Sequence, residues 1–244
     1  ASAGAINVAE PEPYTRVNLG LATPDSSWTG VAYNAFKDEG NDAGGKKFFG
    51  EINLWLQNGA SWTNEAWGEP PDAYFGEDFS ESHLKRLVGG ESADKAGHIF
   101  QKHGEDEDSE GINIRVDDYK GFTNVYYGHK DEKPTDILGG TFTVTKAQPG
   151  SGITLITDSK GLNVDSSKAT DKNLASATLN ALANKLFYTA YKNGETNLAG
   201  KVEIAEGLTS SSLSKRMEDI TFKESNGQGQ YLYTPASDIP EEQT

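Results

Sequence analysis

The chain contains no cysteine in 244 residues. Disulfides, thiolate metal sites and cysteine nucleophiles are therefore excluded together. No apolar run reaches the roughly 18 residues that a transmembrane helix needs. Cations are scarce too: 22 Lys and Arg stand against 37 Asp and Glu, a net charge of −15. A surface of that sign repels phosphates, which argues against nucleic acid and anionic membranes as partners. With no covalent staples, the fold must rest on packing and backbone ladders, and the length suffices for one substantial core.

Recognisable catalytic patterns are missing as well. Only four arginines occur, Arg16, Arg86, Arg115 and Arg216, and four histidines, His83, His98, His103 and His129. No histidine pair has the i, i+4 spacing of a helical zinc site. The acidic run 105–110 lacks both the EF-hand spacing and the calcium-binding nonapeptide, and reads as a solvated loop. Ser151, between Gly150 and Gly152, reads as a turn residue. Arg115 and Asp117 sit two apart on one strand face, where a surface ion pair accounts for them. Gly139-Gly140 precedes a strand and not a helix, so no phosphate loop is expected. No catalytic residue, metal site or cofactor is assigned.

What the chain does have is short alternating segments. In 52–57, Ile52, Leu54 and Leu56 share one face while Asn53, Trp55 and Gln57 share the other. Asn58-Gly59 then offers a sharp turn that tolerates positive φ, and Ala60 permits close backbone packing. Ile112, Ile114 and Val116, then Phe142 and Val144, then Ile153 and Leu155 repeat the pattern at unequal spacing, punctuated by Gly121, Gly139-Gly140 and Pro149-Gly150. One segment has helical period: over 171–192, Ala175, Leu179, Leu182, Ala183, Leu186 and Ala190 line one side. Asp171 or Asn173 is the expected N-cap and Asn193-Gly194 the expected stop.

Four regions follow. Residues 1–16 are an extended lead-in, and the start Ala1-Ser2-Ala3 reads as a mature or trimmed terminus. Residues 17–170 form irregular β layers with polar or aromatic excursions at 33–50 and 64–82. Residues 171–234 hold the helix and further layers or a hairpin, and 235–244 have the composition of a tail or linker.

Several strings carry a resemblance. Trp28-Thr29-Gly30 followed by the strand, turn and second tryptophan of 52–62 resembles the passenger region of bacterial autotransporters, the pertactin-like right-handed β-helices displayed outside the outer membrane. The strings 111–121, 138–144, 180–191 and 201–208 are similar to pieces of such passengers. The resemblance implies a mainly β chain: a right-handed parallel β-helix, or β-solenoid, with projecting loops and one packed α-helix. It further implies secretion or surface display, with membrane attachment only through a β-barrel outside this chain.

For function, the aromatic set Trp55, Trp62, Trp67, Tyr74 and Phe75 is the candidate ligand-binding group, because indole and phenol rings stack on sugar faces and on protein partners. The competing reading packs these rings on each other as a satellite core. Adhesion to host glycan or surface protein is the expected activity. A polysaccharide-degrading enzyme on the same fold, or a purely structural stalk or folding segment, are the alternatives.

Overall fold

A computed structural model describes residues 2–3, 6–8, 15–34, 36–38, 46–48, 50–65, 81–102, 111–191, 197–225 and 228–231. The lead-in holds two short strands, β1 (Ser2–Ala3) and β2 (Ile6–Val8). They are followed by β3 (Thr15–Leu21), β4 (Ser27–Thr29), β5 (Ala32–Asn34), β6 (Phe36–Asp38) and β7 (Lys46–Phe48). The central strands are β8 (Gly50–Leu56), β9 (Ser61–Asn64), β10 (Glu81–Val88), β11 (Gly97–Gln101), β12 (Asn113–Lys120), β13 (Phe122–Lys130) and β14 (Lys133–Leu138). Then come β15 (Phe142–Ala147), β16 (Ser151–Asp158), the helix α1 (Ala169–Ala183), β17 (Leu186–Tyr188), β18 (Leu198–Ala205), β19 (Ser214–Ile220), β20 (Phe222–Ser225) and β21 (Gln228–Tyr231).

Two large sheets take these strands alternately. The first runs β3, β8, β10, β12, β15, β17, and the second β4, β9, β11, β13, β16, β18; neighbours within both runs are parallel. Each circuit of the chain thus lays one strand in each sheet before moving on. The apolar alternation explains why the circuits stack. Leu54 registers with Leu87, Val116 with Val144, and Leu155 with both Val125 and Val202. All are buried in one core cluster to which both sheets contribute.

The corner after β8 shows how tightly the circuits turn. Asn58 and Gly59 both have positive φ, 54° and 79°, the left-handed conformation that Asn and Gly adopt at least cost. Gly97 opens β11 against the carbonyl of Leu56, which a Cβ at that position would strike. Inside, Asn64 donates to Gln101 Oε1 and to the Ile112 carbonyl, both at 2.8 Å, and accepts from Ser82 Oγ at 2.7 Å. Buried amides are thereby satisfied across successive circuits.

Three findings modify the sequence expectations. The excursion 33–50 begins within β5, which pairs with β2, and contains the antiparallel hairpin β6–β7. The helix begins at Ala169, two residues earlier than expected, with Lys168 as N-cap and no side-chain cap, so neither Asp171 nor Asn173 serves. It also ends at Ala183 and not near Lys192. Leu186, Phe187 and Tyr188 form β17 and register with Phe142, Thr143 and Val144, because ladder pairing beside the core outcompetes continued helical spacing. The remaining stripe residues Ala175, Leu179, Leu182 and Ala183 are buried where α1 packs on β14 and β18. At the far end both sheets turn antiparallel: β19 pairs with β18, and the β20–β21 hairpin with β17.

Candidate functional site

Outward-facing positions of the first sheet form columns, because parallel strands in register bring equivalent residues side by side at about 5 Å. One column runs Gly20, Trp55, Val88, Lys120, and its neighbour runs Asn18, Asn53, Arg86, Asp118, Lys146. Trp55 lies on this face half-exposed, opposite the buried Leu54 and Leu56. A Cβ at Gly20 would meet nothing within 4 Å, so the space beside the indole on that side is open. Asn53 Nδ2 donates to Asn18 Oδ1 at 2.9 Å, which fixes a short amide ladder next to the ring.

Alternation breaks in β10 and β12. Lys85 and Arg86 separate the buried Leu84 and Leu87, and Asp117 and Asp118 separate the buried Val116 and Tyr119. Two consecutive outward residues on each strand crowd charge onto the face. Asp117 accepts from His83 Nε2 at 3.1 Å and from Lys85 Nζ at 3.3 Å, with Arg115 Nε 3.9 Å away. The His83 ring is buried, and its Nδ1 lies 3.1 Å from Asn34 Nδ2, which also donates to the Gly50 carbonyl. Burial opposes ionisation of Asp117, but the hydrogen bond from His83 and the charges around it hold the carboxyl below the usual carboxylate range. At neutral pH it has no proton to give, so it fits an ion-pair node and not a general acid.

The outer face of the second sheet is different in kind. Phe100 and Tyr126 register and stack with centroids 4.7 Å apart, and Ile156, Ala205 and Leu208 complete a small satellite cluster. Burial pushes Tyr126 up to about 12, lowers His98, whose Nδ1 is 3.1 Å from the Tyr126 hydroxyl, and raises Glu203. Burial thus favours the neutral form of all three groups.

Of the two sequence-derived residues that the structure describes, Trp55 and Trp62, Trp55 is the one on an accessible face. Trp62 is 0% exposed; its indole stacks on Trp28 at 5.0 Å and 6°, and Nε1 donates to the Gly30 carbonyl at 2.8 Å. A ring enclosed in this way presents nothing to a ligand. Trp67, Tyr74 and Phe75 lie outside the described residues, as does the acidic run 105–110. Sequence reasoning missed the His83–Asp117 contact, which joins residues 34 positions apart. It also gave no role to Arg86 or Lys146, since their common column emerges only once the register is known. No group of three or more His, Asp or Glu able to hold a metal ion occurs among the described residues.

The fold and face define a mainly β chain with two large sheets built on parallel runs and two neighbouring outward columns that bear aromatic, amide and charged side chains. Comparison with protein-family models, curated proteins and solved structures finds no match.

Proposed function

We propose that this chain is an exported, surface-displayed segment of the autotransporter-passenger type, a right-handed parallel β-helix acting in adhesion to host glycan. The alternation of strands between two parallel sheets supports the β-helical reading. The observation that carries the binding role is Trp55: a partly exposed indole on a run of parallel strands, with open space over Gly20 and the exposed Asn18 amide, held by the buried Asn53, beside it. An aromatic ring flanked by amides suits a sugar, whose apolar CH face stacks while its hydroxyls hydrogen-bond. A preformed sheet loses little conformational entropy on contact, which favours repeated weak binding at a cell surface.

A glycan array probed with the wild-type chain and with Trp55→Ala tests the proposal. Binding should appear with the wild type and fall about tenfold or more in the variant, the loss expected for one stacking ring. An array with no hit, or a variant that binds as the wild type does, rejects it.

A further inference from the structure

The chain carries a net charge of −15, yet one patch of its surface has the opposite balance. Outward positions of β10, β12 and β15 bear Lys85, Arg86, Arg115, Lys120 and Lys146 against Glu81, Asp117 and Asp118. Lys85 and Arg115 are engaged at Asp117. Arg86, Lys120 and Lys146 are exposed and form no ion pair with a described carboxylate. Asp118, in register with both Arg86 and Lys146, offsets at most one of these charges.

Their placement is regular. Arg86 and Lys146 occupy one column with Asp118 between them, two ladder spacings or about 10 Å apart at the backbone. Lys120 shares the column of Trp55, with Val88 between the two. A polymer crossing the strands over Trp55 and Val88 would have Arg86 and Lys146 along its flank and Lys120 ahead of it. The backbone interval between Arg86 and Lys146 is comparable with the length of two linked sugars.

We propose that this face selects an acidic polysaccharide, with carboxylate or sulfate groups meeting Arg86, Lys120 and Lys146 while one sugar stacks on Trp55. This inference rests on the glycan-binding reading and names the chemical class of the glycan. An arginine fork and lysine ammonium groups form charge-assisted hydrogen bonds to both kinds of anion. A duplex nucleic acid fits less well: its closely spaced phosphates would extend past this patch onto the acidic remainder of the chain.

The test uses the intact chain against polygalacturonate, chondroitin sulfate, neutral dextran and a DNA duplex, at low and high salt. The wild type should prefer at least one acidic polysaccharide to dextran and lose that preference in high salt. Arg86→Gln and Lys146→Gln should each weaken acidic-polymer binding about tenfold and leave any dextran binding unchanged. Circular dichroism should show all variants folded, since both side chains are exposed. Equal, Trp55-dependent binding of acidic and neutral polymers would overturn the charge inference and leave the glycan-binding reading standing. Binding that needs Arg86 and ignores Trp55→Ala would overturn the stacking role, and with it the present inference. DNA bound as tightly as the polysaccharides, or no polymer bound at all, would also overturn it.

Discussion

Trp55 and Trp62 are seven residues apart and have opposite fates. Alternation puts Trp55 on the face opposite Ile52, Leu54 and Leu56, and the structure leaves it partly exposed there while those three are buried. Nothing local marked Trp62 as interior, because its stacking partner Trp28 and its acceptor Gly30 come from the preceding circuit, 32 residues away in the case of Gly30. Trp62→Ala should therefore lower stability by about 3–5 kcal/mol, whereas Trp55→Ala should change it by under about 1 kcal/mol; urea unfolding of both separates them. A second residue-scale prediction concerns His129, whose side chain is 1% exposed and whose Nε2 is 2.7 Å from Asp158 Oδ1. Burial opposes the charge on His129, but Asp158 and the Lys130 carbonyl outweigh it and raise its pKa, while His129 lowers that of Asp158. The imidazole's share of stability is complete below about pH 6.5 and disappears as pH rises through its folded value. The carboxylate's share is present above about pH 3.9 and disappears as pH falls through its lowered folded value. Both operate in the mildly acid range between. Asp158→Asn should cost about 2 kcal/mol near pH 5.5 and progressively less as the solution becomes alkaline, which parallel urea titrations across pH would check.

At the scale of elements, period-two patterning was a good guide where one face meets the core. The segments around Leu54, Val116, Val144 and Leu155 are strands with those residues buried. The helix was legible in its middle and illegible at both ends. Its sequence keeps helical spacing through Leu186 and Ala190, and only the pairing of Leu186–Tyr188 with β15 shows why the backbone changes state. That is information held by a partner strand, not by the segment itself. The register that assembles the outward column was equally invisible, since the excursions between strands have unequal lengths. Within α1 the buried stripe and the exposed positions should respond differently. Leu179→Ala should cost about 2–4 kcal/mol, and Leu174→Ala, at a position 37% exposed, under about 1 kcal/mol, as read by thermal or urea unfolding.

For the molecule as a whole, the antiparallel strands at one end have a clear role. β19 covers the edge of β18, and the β20–β21 hairpin covers that of β17. An uncovered strand offers unpaired N–H and C=O groups to any neighbouring chain. Ending the chain after Ala205 should therefore produce concentration-dependent association in size-exclusion chromatography, while the intact chain elutes at a smaller size under the same conditions. A truncated form that elutes as a well-behaved monomer would remove this role from the terminal strands.

Contacts between successive circuits link residues separated along the chain by intervals such as 28, 32 and 35. Seen as a mechanical object, each of the two parallel runs is a row of strands in which every strand is laddered to the strands beside it. Tension applied at the two termini should therefore peel it from an end in discrete bursts. Each burst should release roughly 100 Å of slack, the contour length of about thirty residues.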